Sequence, residues 1–358
     1  MEEKRVLLNE TPETLQCYLQ SLSQPVYRAK QIFGWLHRGV PFAEMSNLPK
    51  SLRDTLLQTA VDFPLEIEET FASKHDDTVK FLFRCQDGNL IEGVLMRYHY
   101  GFTLCISTQI GCKMGCKFCA STLNGCVRNL SAGEMLCQVI LANRFLGERG
   151  KIGHVVLMGS GEPLDNYDSV VRFLRLVNRP EGLNIGMRSL SLSTCGLPPQ
   201  IDRLAGEGLG ITLSISLHAP NDTIREQMMP IAKRYPIWDL MAAVRSYVQK
   251  TGRRVLIEYA LIDQLNSQPA HAVELAGLLK GLQCHVNLIQ LNPVKESALR
   301  PASPEAVKAF SETLEQKNVS VTCRREMGRD ISGACGQLRN RYLNKEGKAD
   351  IIKTGNQP

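Results

Sequence analysis

The sequence contains no run of about 18 apolar residues, the length that a membrane-spanning helix requires. Its first residues, MEEKRVLLNETPE, are acidic and lack the apolar segment of a secretory signal. It also lacks a fixed-period repeat and a low-complexity tract, which argues against a solenoid and a disordered chain. These absences predict a cytoplasmic protein with no membrane partner, and we expect a monomer.

The composition allows one large core with a smaller domain beside it. The chain has 358 residues, 43% of them apolar, which is enough to bury a sizeable α/β core. It also contains 12 cysteines. Because cytoplasmic thiols stay reduced, clustered cysteines are interpreted as metal ligands or nucleophiles before disulfides are considered.

The net charge of +6 is modest and compatible with many proteins that bind no nucleic acid. Beyond residue 295, however, basic residues outnumber acidic ones. Five arginines lie close together there: Arg324, Arg325, Arg329, Arg339 and Arg341. They indicate either a patch that faces RNA phosphates or a solvated basic surface.

The N-terminal part has helical patterns. Thr11 and Pro12 are typical of an N-cap and a first helical residue, and apolar stripes predict a small helical domain over residues 1–65. Alternating apolar residues on both sides of Asp87 and Gly88 predict a β-hairpin within a linker over residues 66–99.

From about residue 100 the pattern changes to short apolar runs separated by helical stretches. These runs are TLCIS, HVVLMG, SLSLST, ITLSISLH, VLIEYALI and HVNLIQLN. They predict six βα units, and Ser131 and Glu134 form a capping box for the first long helix. We therefore expect an α/β fold with an incomplete (β/α)6 barrel over residues 100–338 and a polar tail over 339–358. Functional loops should follow the strand C-terminal ends.

A cysteine motif follows the first predicted barrel strand. Cys112, Cys116 and Cys119 have the spacing C-x3-C-x2-C. Structural zinc normally takes four protein ligands, whereas a [4Fe-4S] cluster held by three thiolates keeps one iron open to chelate S-adenosylmethionine (SAM). The alternative is a zinc site with Cys105 or Cys126 as the fourth ligand.

The motif resembles the signature of the radical SAM superfamily, with Phe118 as the aromatic residue before the third cysteine. Within that superfamily the chain resembles the RlmN/Cfr family of RNA adenine methyltransferases. The matching segments, which span nearly the whole chain, are residues 111–121, 128–130, 158–166, 193–194, 216–221, 287–289, 292–293 and 334–338.

The resemblance implies a [4Fe-4S] cluster on the three cysteines and SAM as the second cofactor. It assigns the amino end of SAM to the glycine loop that ends the second barrel strand, although this segment alone could equally be a tight turn. The residues that it implies for SAM binding are Gly161, Glu162, Ser193, Ser216, Leu217, His218 and Asn292.

The resemblance also implies three catalytic residues. Cys335 would accept a methyl group from a first SAM, and a radical from a second SAM would activate that methyl group for addition to adenine. Cys105 would release the product by forming a disulfide with Cys335, which a cytosolic thiol reductant would reset. Glu92 would accept a proton. A cytosolic electron donor would also be required.

The sequence departs from the family pattern without losing any of these residues. Ser160 replaces a usual methionine, Cys195 replaces a usual serine, and Ser332 and Gly333 replace Asp-Ala. The expected function is methylation of adenine C2 in 23S ribosomal RNA and also in transfer RNA. The alternatives are C8 methylation, a radical SAM enzyme acting on a small molecule or peptide, and an RNA-binding protein with structural zinc.

Overall fold

The structure is a computed structural model of the chain. It describes residues 4–292, 294, 296–324, 327–338, 341–343 and 349–350. Within these ranges, no helix is both long enough and apolar enough to cross a membrane.

The N-terminal part is helical, as the apolar stripes predict. Its elements are β1 (Arg5–Val6), α1 (Pro12–Ser21), α2 (Arg28–His37), α3 (Lys50–Thr59) and β2 (Ala60–Val61). Thr11 caps α1, and its hydroxyl accepts the N–H of Thr14, while Pro12 occupies the first helical position. β1 and β2 pair in parallel, and the apolar faces of the helices join the core of the barrel.

Three antiparallel strands follow: β3 (Leu65–Ala72), β4 (Val79–Cys85) and β5 (Asn89–Tyr98). The predicted hairpin is β4 and β5, with Arg84 opposite Leu90. The sequence did not predict β3. Its LEIEETFA segment is rich in glutamate, and most of its side chains remain partly or fully exposed.

The barrel region alternates strands and helices. Its elements are β6 (Gly101–Cys105), β7 (Gln109–Gly111), β8 (Cys126–Asn129), α4 (Ala132–Leu146), β9 (Ile152–Leu157), α5 (Tyr167–Val177), β10 (Leu190–Thr194), α6 (Pro198–Ala205), β11 (Thr212–Ser216), α7 (Asp222–Met228), α8 (Ile237–Thr251), β12 (Val255–Leu261), α9 (Pro269–Leu278), β13 (Cys284–Gln290), α10 (Pro304–Gln316) and β14 (Val321–Cys323). Ser131 and Glu134 form the expected capping box on α4.

All six predicted barrel strands are present, and they lie side by side in parallel in the order β6-β9-β10-β11-β12-β13. β14 adds a seventh parallel strand beside β13. The sequence did not predict it because three residues are too short for a periodic signal. β5 pairs antiparallel with β6, so the hairpin linker continues the barrel sheet.

The polar tail expected over residues 339–358 is partly in the sheet. β15 (Arg341–Leu343) pairs antiparallel with β5 and with β16 (Ala349–Asp350). The remainder of that range lies outside the described residues, as does Arg325.

Candidate active site

A cavity with about 960 Å³ of empty space lies at the carboxyl ends of the parallel strands. β9, β10, β11 and β13 each contribute residues to it at or just after their last position. The predicted site residues that line the cavity are Cys112, Cys116, Cys119, Gly161, Glu162, Ser193, Ser216, His218, Asn292 and Cys335. This is the position at which parallel α/β barrels collect ligands.

The loop that carries the three cluster cysteines is closed at its base by β7 and β8, where the Cys112 N–H donates to the Gly125 carbonyl at 2.9 Å. At its tip, the Lys117 N–H donates to the Met228 carbonyl at 2.9 Å. Gly115 has a positive φ of 72° and packs against Pro230, so a side chain there would be strained.

The cysteines fit a thiolate-ligated cluster. All three line one cavity, and burial raises the pKa of Cys112 to about 12 and the pKa of Cys116 well above its usual value. Thiolates in such surroundings require cations beside them, which iron would provide. Among the described residues no three His, Cys, Asp or Glu side chains converge on one ion. A cubane does not require convergence, because each thiolate binds a different iron.

The glycine loop after β9 presents a fixed carboxylate. The two side-chain oxygens of Glu162 accept the N–H groups of Leu164 at 3.0 Å and Cys195 at 2.8 Å. Burial raises the pKa of Glu162, and these two hydrogen bonds oppose that effect. Gly161 has φ of 113°, and an added Cβ would lie 2.7 Å from the Thr108 hydroxyl. The loop therefore requires glycine, and it places a carboxylate where an ammonium group could offset its burial.

Strands β10 and β11 place polar side chains on the cavity wall. The hydroxyls of Ser193 and Ser216 are 3.2 Å apart. Burial lowers the pKa of His218 to about 3, so its ring is neutral at physiological pH. Its Nδ1 accepts the Ala260 N–H at 3.0 Å, which assigns the ring proton to Nε2 and makes that atom a donor.

Leu217 is placed differently from the other predicted SAM residues. Its side chain is buried in the hydrophobic core and is not among the residues that line the cavity. Its N–H donates to the Glu258 carbonyl at 3.1 Å. Of its backbone groups, the carbonyl therefore remains as the polar atom that could contact a ligand.

A second cavity, with about 570 Å³ of empty space, adjoins the first and contains Cys105. Cys335 lines both cavities, the one with the cluster cysteines and the one with Cys105. Burial raises the pKa of Cys105 to about 12. Around the two thiols the walls are mostly apolar, with Val94, Met96, Tyr98, Met158, Met327 and Leu338 among them.

Glu92 lies on β5, outside the residues that line either cavity. It is almost fully buried and forms an ion pair with Lys80 at 3.3 Å. Its strand position is two residues before Val94, which pairs with Cys105 on β6. Glu92 and Val94 therefore project to the same face of β5, the face that carries the wall of the second cavity.

Two charged residues of the cavities were not predicted as site residues. Glu258 is buried on β12, and its carboxylate accepts hydrogen bonds from the Asn287 amide at 3.1 and 3.4 Å. Arg324 lines both cavities, and its electrostatic interaction with Cys335 raises the pKa of Arg324, with Glu258 adding to this effect. Arg324 therefore lies in the walls of the cavities, and its contact with RNA phosphates stays a prediction.

Signals for both residues were present in the sequence. Glu258 is the one charged residue within the apolar run VLIEYALI, which is typical of a functional carboxylate inside a barrel. Arg324 follows β14 in alternation with Thr322, so both share one face, but β14 itself was not predicted.

Comparison with known proteins supports this architecture. The model of the radical SAM superfamily matches residues 106–276, and the model of the ribosomal RNA large subunit methyltransferase N-terminal domain matches residues 6–61. The chain is similar to the solved structure of a radical SAM methyltransferase from Sphaerobacter thermophilus, with a TM-score of 0.91 and 44% identity. That match covers 93% of this chain and 99% of the other.

Two curated relatives are similar over nearly their whole length, and both are named probable dual-specificity RNA methyltransferase RlmN. The relative from Alkaliphilus metalliredigens is 49% identical, covering 98% of this chain and 99% of its own. The relative from Alkaliphilus oremlandii is 50% identical, covering 95% and 99% respectively. The chain therefore belongs to the RlmN family of radical SAM enzymes, which methylate RNA with a [4Fe-4S] cluster and SAM.

Proposed function

We propose that this enzyme methylates C2 of adenine in 23S ribosomal RNA and in transfer RNA, and that Cys335 carries the methyl group as a covalent intermediate. The observation that supports this most strongly is the place of Cys335. It lines the cavity of the cluster cysteines and also the cavity of Cys105. A carrier thiol must face both the methyl donor and the thiol that releases the product.

Cys112, Cys116 and Cys119 would hold the cluster, which supplies the electron that cleaves SAM and generates a 5′-deoxyadenosyl radical. Glu162 would bind the SAM ammonium group through its fixed carboxylate. The hydroxyls of Ser193 and Ser216 and the Nε2 proton of His218 would then hydrogen-bond the polar groups of the nucleoside.

In the first half-reaction Cys335 Sγ attacks the methyl carbon of SAM. The new S–CH₃ bond forms as the sulfonium–CH₃ bond breaks, the thiol proton is lost, and S-adenosylhomocysteine leaves. Arg324 lies beside the attacking sulfur and interacts with it electrostatically.

In the second half-reaction the S-methyl group of Cys335 would lose one hydrogen atom to the radical that reductive cleavage of a second SAM supplies. The methylene radical on Cys335 would then add to adenine C2, and the adduct would return one electron to the cluster, which gave up one electron when it cleaved SAM. Such addition suits C2 because this electron-poor carbon is a weak nucleophile toward SAM.

Release requires Cys105 and a base. Cys105 sulfur attacks Cys335 sulfur, the S–CH₂ bond breaks, and a disulfide forms. Glu92 accepts the proton from C2, and the former methylene carbon takes a proton to become CH₃. A dithiol reductant then restores both cysteines.

The target adenine must leave its stack to reach the cavities.

The test is nucleoside mass spectrometry on 23S ribosomal RNA and transfer RNA treated with the reconstituted enzyme. We expect 2-methyladenosine in both RNAs and none with Cys335→Ala. Formation of 8-methyladenosine would contradict the C2 assignment, and full activity of Cys335→Ala would contradict the carrier mechanism.

A further inference from the structure

The loop of residues 327–338, which carries Cys335, is bound at its beginning to the turn between β3 and β4. Asp330 accepts a hydrogen bond on each side-chain oxygen, from the Ser73 hydroxyl at 2.8 Å and from the Lys74 N–H at 2.9 Å. These partners lie more than 250 positions earlier in the chain. Long-range tertiary contacts, and not a local turn preference, therefore fix the position of this end of the loop.

The turn makes the reverse contact with a carboxylate of its own. Asp76 accepts the Gly328 N–H at 3.0 Å on one oxygen and the Thr78 N–H at 2.9 Å on the other. Gly328 has φ of 63°, and an added Cβ would lie 2.8 Å from the Thr78 methyl group. Each segment thus contributes an aspartate that binds the backbone of the other. We call these contacts of Asp76 and Asp330 the reciprocal clamp.

The end of the loop is bound instead on the side of the first cavity, the one that contains the cluster cysteines. The Asn292 amide donates to the Cys335 carbonyl at 3.2 Å, the Ala120 N–H donates to the Gly336 carbonyl at 2.7 Å, and the Ser121 hydroxyl donates to the Leu338 carbonyl at 2.8 Å. Cys335 therefore lies between an anchor on the cofactor side and an anchor on the hairpin linker.

From these contacts we propose that Asp76 and Asp330 are positioning residues that hold Cys335 at reacting distance from the methyl group of SAM. The role rests on the proposed function of Cys335 as methyl carrier. Hydrogen bonds from N–H groups to carboxylates are stronger than neutral ones, and a nucleophile displaced by about 1 Å loses much of its rate. The reciprocal clamp fixes the position of the loop before the substrate binds.

The chemistry of the clamp is consistent with this role over the working pH range. The Lys74 N–H and the Ser73 hydroxyl hold the pKa of Asp330 below its usual range. The carboxylate therefore stays ionised at neutral pH and keeps both acceptor oxygens. Asp330 is exposed, so its substitution removes the contacts without opening the hydrophobic core.

The experiment compares four variants of the cluster-loaded enzyme. Asp330→Ala removes one half of the clamp, the double variant Asp76→Ala/Asp330→Ala removes both halves, and Asp330→Asn retains one acceptor oxygen. Asp77→Ala is the matched control. Asp77 lies in the same turn, but its carboxylate forms an ion pair with Arg97 at 3.5 Å and does not face the loop of residues 327–338. Each enzyme is mixed with SAM and reductant without RNA.

Three quantities are measured: the rate at which Cys335 gains a methyl group, by mass spectrometry of the protein; the rate of SAM cleavage to 5′-deoxyadenosine; and the SAM dissociation constant. We expect S-methylation to slow about tenfold in Asp330→Ala, further in the double variant and less in Asp330→Asn. SAM affinity and SAM cleavage should stay within about twofold of the wild type, and Asp77→Ala should match it in all three.

Equal S-methylation rates in all variants would overturn the proposal. So would a parallel fall in S-methylation, SAM affinity and SAM cleavage, because this pattern indicates general loss of structure and not displacement of one thiol. If wild-type Cys335 gains no methyl group, the proposed function fails and the positioning role fails with it. If wild-type Cys335 gains a methyl group and the variants gain it at the same rate, the positioning role is refuted but the proposed function is not.

Discussion

Asn292 donates a hydrogen bond from its side-chain amide to the backbone carbonyl of Cys335 at 3.2 Å. Its other polar atom, Oδ1, is buried and has no hydrogen-bond partner in the part of the chain that the structure describes. A buried acceptor without a donor is costly, and a bound ligand that supplies a donor removes this cost. Asn292 therefore connects the cavity of the cluster cysteines with the loop of Cys335.

Replacing Asn292 with Ala should weaken SAM binding about tenfold, because the variant loses an acceptor that is already desolvated. Equilibrium binding of SAM to the cluster-loaded enzyme measures this effect. Asn292→Asp keeps an acceptor oxygen, so its affinity should lie nearer the wild type. An unchanged affinity in Asn292→Ala would show that SAM does not reach Oδ1.

Replacing Cys335 with Ala should abolish methyl transfer while reductive cleavage of SAM continues, since the cluster cysteines and the SAM residues are untouched. Product nucleosides and 5′-deoxyadenosine are quantified in the same reaction. Cys17→Ala is the control, because Cys17 is an exposed thiol on α1 and should leave both products unchanged. Retained methylation in Cys335→Ala would exclude the carrier mechanism.

Replacing Cys105 with Ala should trap a covalent adduct between the protein and RNA, because the methylene bridge forms but its S–C bond is not broken. Denaturing electrophoresis with labelled RNA detects the adduct as a shifted band. The double variant Cys105→Ala/Cys335→Ala should give no such band. Free methylated RNA at wild-type rates from Cys105→Ala would assign release to another group.

Acid should destabilise the fold through His37. The ring is buried, and its centroid lies 4.0 Å from that of Phe33. Neither ring nitrogen has a hydrogen-bond partner among the described residues. Burial lowers the pKa of His37 to about 3. The folded pKa is below the unfolded value near 6.5, so the unfolded state binds the proton more readily. The contribution of neutral His37 to the free energy of unfolding is therefore complete above about pH 6.5, and it is lost as the pH drops toward 3.

The slope from this one group is at most about 1.4 kcal/mol per pH unit. Urea unfolding between pH 7 and pH 4 compares the wild type with His37→Phe, which keeps an aromatic ring against Phe33. The variant should lose less stability on acidification. An identical pH dependence in both proteins would contradict a neutral buried His37.

The cysteine motif and the glycine loop were predictable because their chemistry depends on close spacing in the sequence. Cys112, Cys116 and Cys119 are near in sequence and line one cavity, and Gly161 has the positive φ that its motif requires. All six long parallel strands were predictable from their apolar runs, since both faces of such strands are covered.

Features that depend on distant contacts were not predictable. The reciprocal clamp joins Asp76 to Gly328, and neither residue has a local pattern that names the other. Arg324 was grouped with a basic patch because sequence order does not show which arginine enters the barrel. Leu217 matches a family motif, yet its side chain packs in the core, because neighbouring residues on an extended strand end face opposite sides.

The central claim is that the transferred methyl group passes through a methylene carbon attached to Cys335, and SAM with a trideuterated methyl group tests it most directly. The radical takes one deuterium into 5′-deoxyadenosine, and the carbon later gains one proton from solvent. Mass spectrometry of the RNA nucleosides should therefore show methyladenosine with two deuterium atoms. Methyladenosine that retains all three would contradict the account, because it indicates direct transfer of an intact methyl group.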